Sequence, residues 1–294
     1  MVLFQSHLFE TEFVMKQSKL NHLLSGRCAT NGRLLCAIAI AFAVLFVLRV
    51  PVFAQKGTSK VGTLPNIVLI HGAWADGSSW SGVIQRLQAK GYTVTAPQLP
   101  LSSLDNDVAR VREVLAPQTG PTLLVAHSFG GSVITELGKD APNVVGLVYV
   151  SAFAPDKGET MKQFVTASPA PAGAIAIRPD KQGYLWLDPA GVLKFFAPDV
   201  DPVQAKIMAS TQQPIAASEF TSEVPFGDPA WKSFPTSYII TEDDQMVPPQ
   251  VQHFFAQRMG ATVTSIKGSH ASMVSHPDEV TNAILAAAQA VSTK

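Results

Sequence analysis

"LLVAHSFGGSVI", residues 123–134, changes character at one serine. Its first residues close the apolar run "TLLVA" (122–126), which has the length and composition of a buried strand. Beyond the serine, Val133, Ile134 and Leu137 recur at helical spacing. Ser128 therefore stands at a strand-to-helix turn, with Gly130 and Gly131 leaving room for it. Such a turn presents a hydroxyl above the carboxyl end of a sheet, at a helix N-terminus, where it can serve as a nucleophile. Ala126-His127-Ser128-Phe129-Gly130 differs from the usual G-x-S-x-G pattern by one methyl group, at Ala126. The competing reading is an ordinary loop serine.

Working outward, short apolar runs alternate with helical patterns. "NIVLI" (66–70), "YTVTA" (92–96), "VVGLVYV" (144–150), "TSYII" (236–240) and "ATVTSI" (261–266) are expected strands. Between them, Trp80, Val83, Ile84 and Leu87 mark one helix, and Val108, Val111 and Leu115 a second. Pro248-Pro249 opens another helix, and the last has Pro277 near its start with Asp278 and Glu279 in its first turn. This rhythm predicts an α/β fold, a mostly parallel central sheet with helices on both faces. It breaks over about 155–232, a stretch rich in Pro, Ala and Phe with helical pieces at 191–196 and 202–210. That stretch is expected to be an inserted helical cap on a single domain spanning 64–294.

The first 54 residues differ in composition. Lys16, Lys19, Arg27 and Arg33 precede an apolar run at 34–48, and "VFA" (52–54) offers a cleavage site before Gln55, the pattern of a secretory signal peptide. A retained membrane anchor is the alternative. Residues 55–63 are a polar tether. The segment contains both cysteines, Cys28 and Cys36, so the mature chain has neither a disulfide framework nor a Cys-based metal site. It also takes away five of the 22 basic and two of the 22 acidic residues, leaving a net charge of about −3. Nothing in the charge pattern points to nucleic acid, and the expected location is periplasmic or extracellular, with no membrane contact after cleavage.

A serine nucleophile needs a general base, and the base an orienting acid. Of His71, His127, His253, His270 and His276, only His270 follows an expected strand in a Gly-Ser loop, "KGSHASM", free to reach across. His127 adjoins Ser128 and is expected to point elsewhere. The acid is expected in "TEDDQMVPP", at the carboxyl end of a strand, where Glu242, Asp243 and Asp244 all qualify. Each has a plain alternative as part of a solvated turn. The order is nucleophile, acid, base. Donors for a developing oxyanion would come from the Phe129 amide and from the loop after the first strand, at Ala73.

With these residues in view, the chain resembles the α/β-hydrolase superfamily over about residues 62–292. Within it, the chain is similar to the branch of small esterases and hydroxynitrile lyases that includes plant methyl-ester esterases and bacterial pyrethroid hydrolases. "VLIHGAWADGSSW", "TAPQLP", "VAHSFGG", "VPFGDP", "YIITEDDQMVPP" and "GSHASMVSHPDEV" carry the resemblance. It implies Ser128 as nucleophile, Asp244 as acid, His270 as base, and the Ala73 and Phe129 amides as the oxyanion hole. It implies hydrolysis of a small-molecule carboxylic ester through an acyl-enzyme, without metal or cofactor. The lyases carry Lys directly after the catalytic His, where this chain has Ala271, which disfavours cyanohydrin cleavage. Lactone opening, perhydrolysis and dioxygenation remain alternatives on the same residues, and a silent binding protein is disfavoured by the intact set. Trp74, Met273 and the cap aromatics Phe164, Tyr184, Trp186, Phe195 and Phe196 are expected to line an apolar substrate pocket.

Overall fold

The computed structural model describes residues 64–137, 141–166, 169–224 and 227–292; the expected export segment 1–54 and tether 55–63 lie outside the described residues. In chain order the strands are β1 (Asn66–Ile70), β2 (Val94–Thr95), β3 (Thr122–His127), β4 (Val144–Val150), β5 (Ile177–Pro179), β6 (Tyr184–Leu187), β7 (Ile215–Ala216), β8 (Thr236–Thr241) and β9 (Thr262–Ile266). Six of them form one sheet in the order β2-β1-β3-β4-β8-β9, every neighbouring pair parallel. All six carboxyl ends therefore lie on one edge, where the loops carrying Ser128, Asp244 and His270 emerge.

Alternation along the strands divides the interior between two faces. Val68, Ile70, Leu124, Ala126, Leu147, Tyr149, Tyr238 and Ile240 belong to one core, with the helices Leu104–Leu115, Gly130–Glu136 and Pro249–Met259. Ile67, Leu69, Leu123, Val125, Val148, Val150 and Ile239 belong to the other, with Ser81–Ala89 and Pro277–Ser292. Full burial of each aliphatic side chain stabilises by about 1.5–3 kcal/mol, so the two cores outweigh any single helix preference.

Three expectations change. The second strand is only Val94–Thr95, and the nucleophile strand runs one residue further, to His127. The segment over 155–232 is not purely helical: β5, β6 and β7 form an antiparallel sheet of their own. Its hairpin is built by Asp180, whose carboxylate accepts from the Gln182 and Tyr184 amides and from Trp186 Nε1, while Gly183 takes φ +88°. Tyr184 and Trp186, two apart on β6, thus share one face of the strand.

Candidate active site

Ser128 is a left-handed residue, φ +51°, between β3 and the helix Gly130–Glu136. That backbone costs a non-glycine residue about 1–3 kcal/mol and persists only where its surroundings over-determine it. Here the Ser128 amide donates to Val150 O at 3.2 Å, and its carbonyl accepts from Gly131 N at 3.0 Å and Phe153 N at 3.1 Å. Gly131 is required by contact: a Cβ on it would lie 2.1 Å from Phe153 O. The turn is therefore locked to the end of β4 as well as to β3.

His270 follows β9. Its Nδ1 lies 2.8 Å from Asp244 Oδ2, with both side chains almost fully buried. Nδ1 faces a carboxylate and so carries the proton, which leaves Nε2 with its lone pair. Nε2 is buried without a hydrogen-bond partner, and His270 and Ser128 wall the same cavity. Asp244 is fixed by a full set of donors. Oδ1 accepts from the Met246 and Val247 amides at 2.7 and 2.9 Å; Oδ2 accepts from Thr241 Oγ1 and Gln252 Nε2 at 3.1 and 2.9 Å. Glu242 and Asp243 are exposed, and Glu242 lies 3.6 Å from His253. Burial thus separates the three acids of the loop.

The other histidines have structural surroundings. His71 Nδ1 donates to Gly72 O and its Nε2 accepts from Leu99 N, both at 2.9 Å, and burial lowers its pKa. His127 donates from Nε2 to the His270 carbonyl at 2.8 Å. Burial first, then the neighbouring His270, holds its pKa well below the ordinary imidazole range. Sequence reasoning missed Gln252, fully buried on the helix Pro249–Met259, which also donates to Val247 O and accepts from Thr241 N. A glutamine on a core-facing helical position was its only signal.

The cavity above Ser128 is about 390 Å³ with its mouth included, and its wall is mostly apolar. Ala73, Trp74, Ser128, Phe129 and His270 line it. Trp74 is held by its amide to Gln213 O at 3.0 Å and by Nε1 to Leu185 O at 2.9 Å, with the Phe220 ring 6.1 Å away. The rest of the wall was not foreseen: Phe153 after β4, Met246 and Val247 beside Asp244, and Val165, Pro171, Ala174, Ile177 and Phe220 from the inserted segment.

Six of the residues expected to line it lie elsewhere. Met273 packs into the core on the opposite sheet face. Phe164 stands behind the wall, its ring 6.4 Å from Phe153 and 4.8 Å from Phe255. Trp186 is 37% exposed and bonded to Asp180. Phe195 is buried against the turn at Gly173, beneath Lys194. Tyr184 and Phe196 are also absent from the wall, but Phe196 sets its ring edge-on to His270 at 4.9 Å. Among the described residues no cluster of His, Cys, Asp and Glu could hold a metal ion, and no helix is long and apolar enough to cross a membrane.

Comparison with known proteins gives a consistent picture. A sequence model described as "Alpha/beta hydrolase family" matches residues 67–283. A pyrethroid hydrolase of Sphingobium wenxiniae is 30% identical over 246 residues, covering 76% of this chain and 87% of the relative. Methylesterase 2 of Arabidopsis thaliana is 23% identical over 254 residues, 76% of this chain and 95% of the relative. The crystal structure of a pyrethroid hydrolase from Sphingobium faniae JZ-2 superposes with a TM-score of 0.68 at 27% identity, covering 79% of this chain and 100% of the other.

Proposed function

The chain belongs to the alpha/beta hydrolase family, and from that premise we propose that it is a serine hydrolase of small apolar or aromatic carboxylic esters. One observation carries the reading: a buried His270–Asp244 pair with a free Nε2 shares an apolar cavity with a serine held at positive φ. Ser128 Oγ attacks the ester carbonyl and gives its proton to His270 Nε2. Asp244 stabilises the imidazolium that results, and the Ala73 and Phe129 amides receive the oxyanion. The tetrahedral adduct collapses as His270 returns the proton to the departing alkoxide. Water, activated by the same His270, then releases the acid and restores Ser128 Oγ–H. The hydrogen bond from Ser128 Oγ to His270 Nε2 forms as substrate fills the cavity, since catalytic hydrogen bonds are often long or unmade in the free enzyme.

Apolar walls at Phe153, Val165, Ile177, Phe220 and Met246 favour an uncharged acyl or alcohol group. The activities of the relatives, hydrolysis of pyrethroids and methyl esters, fit the same chemistry. Export is part of the proposal, resting on the pattern of residues 1–54. The test uses the chain from Gln55 onward. It is expected to hydrolyse short-chain p-nitrophenyl esters and to be labelled by a fluorophosphonate. Ser128→Ala is expected to abolish labelling and lower kcat by about 10⁴-fold or more. An alanine variant with full activity would sink the assignment.

A further inference from the structure

His270 sits in a five-residue loop, 267–271, between β9 and the short helix Ser272–Ser275. Asp244 fixes one ring nitrogen, but an imidazole is aimed as much by its backbone as by its acid. On the sheet side, the His270 carbonyl accepts from His127 Nε2. On the other side, a single stretch of the inserted segment, 196–199, holds the residues flanking His270. Ala271 N donates to Phe196 O at 3.1 Å, and Ser269 N donates to Asp199 Oδ2 at 2.8 Å. Ser269 Oγ donates to Asp199 Oδ1 and lies 3.3 Å from Phe196 O. Asp199 Oδ2 also accepts from Ser275 Oγ at 3.1 Å, and His276 Nδ1 lies 3.6 Å away.

This stretch leaves a π-helical turn, Val192–Phe196, closed by Ala197 N donating to Val192 O. A π turn widens the helix and frees the last carbonyls from the ordinary ladder, a geometry that recurs at functional sites. Here the freed carbonyl is that of Phe196, and it meets the Ala271 amide while its ring packs on the imidazole. Asp199 is partly exposed, with 29% of its side chain accessible, and does not line the cavity. Its hydrogen bonds go to Ser269 in the His270 loop and to Ser275 in the helix that follows.

We propose that Asp199, acting with the Phe196 carbonyl and ring, is a positioning residue for His270, so that the inserted segment sets where the base stands against Ser128. The inference rests on the reading of His270 as general base. It ties the hydrolytic step to docking of the segment: with 196–199 displaced, Asp244 and His127 still hold the ring and carbonyl of His270, but the flanking Ser269 and Ala271 amides lose their acceptors and the loop can shift. A displacement of about 1 Å at a catalytic group costs on the order of 10²-fold in rate.

The experiment compares Asp199→Ala, Asp199→Asn and Ser269→Ala with the parent on p-nitrophenyl butyrate. Asp201→Ala serves as a control, because it uncaps the adjacent helix Pro202–Thr211 without touching the loop. Asp199→Ala is expected to lower kcat at least about tenfold with KM changed less than about twofold, since no wall of the cavity is altered. Asp199→Asn keeps an oxygen for the Ser269 amide and is expected to recover part of the loss. The Asp201→Ala control is expected to stay within about twofold of the parent in kcat. If all three test variants match the parent, or if the whole loss falls in KM, the proposal is overturned. Amide exchange at Ser269 and Ala271 gives a second readout that does not depend on turnover. Faster exchange in Asp199→Ala supports the clamp, and unchanged protection overturns it. A parent with no activity on any ester would instead overturn the esterase reading, and exchange would still decide the clamp.

Discussion

At the scale of residues, the site depends on a few side chains whose hydrogen-bonding capacity is fully used. Asp244 accepts from two amides, a hydroxyl, the Gln252 amide group and His270. Replacing it by Asn sets an NH₂ against N–H donors that have no lone pair to accept with, or turns His270 to its other tautomer. Asp244→Asn is therefore expected to lower kcat by about 10⁴-fold while the thermal midpoint moves little. Steady-state kinetics beside calorimetry checks this, and a loss of less than tenfold would place the orienting acid elsewhere. Ser128 was legible because strand, small residues and helix spacing converge on it. The departure at Ala126 has a local explanation: it is fully buried in β3 opposite Tyr149, so the core receives its methyl. Asp244 was not separable from its two neighbours by residue type alone, because only the fold shows which carboxylate is buried.

At the scale of elements, the parallel strands were legible and the inserted segment was not. Strands buried on both faces give continuous apolar runs that stand out against their flanks. In the insert, Tyr184 and Trp186 belong to a half-exposed hairpin, with the Trp186 indole bonded to Asp180, so their chemistry suggested a pocket they do not reach. The insert also meets the main domain through a pair of buried carboxyls. Asp107, in the helix Leu104–Leu115, accepts from Leu101 N at 2.8 Å; Glu219, in Ala217–Thr221, stands beside the cavity residue Phe220. Burial raises Asp107 to about 7, and burial with the Asp107 charge raises Glu219 to about 9. Both folded values lie above the ordinary 3.8 and 4.5, so the folded state holds more protons than the unfolded state between those limits. Stability from the pair is full below the ordinary values and is lost as pH rises through about 7 and 9. The buried His71 and His127, shifted downward, act in the opposite sense and only below neutrality. The window from pH 7 to 9 therefore isolates the carboxyls. The parent is expected to lose more Tm across it than Glu219→Gln does, by at least about 2–4 °C, the equivalent of about 1 kcal/mol for a domain of this size. Equal slopes in parent and variant would show that the pair does not titrate there.

At the scale of the whole molecule, the sheet and the site lie within residues 64–292, and the first 54 residues bear on where the protein works. The apolar run 34–48 has 15 residues, which as a helix extends roughly 22 Å at 1.5 Å per residue. That falls short of the roughly 30 Å hydrocarbon core, and lengthening it to residue 54 takes in Arg49 and Pro51. Basic residues before the run and small residues at 52–54 match what a signal peptidase requires. Cleavage after residue 54 would remove both cysteines, Cys28 and Cys36, and leave a chain that meets no disulfide hazard in an oxidising compartment. Expressed at full length in a secreting bacterial host, the protein is expected to collect as a soluble form outside the inner membrane. N-terminal sequencing of that form is expected to begin at Gln55. Recovery in the membrane fraction with a start upstream of Leu34 would instead establish a retained anchor, holding the hydrolase at the membrane surface on the polar tether 55–63.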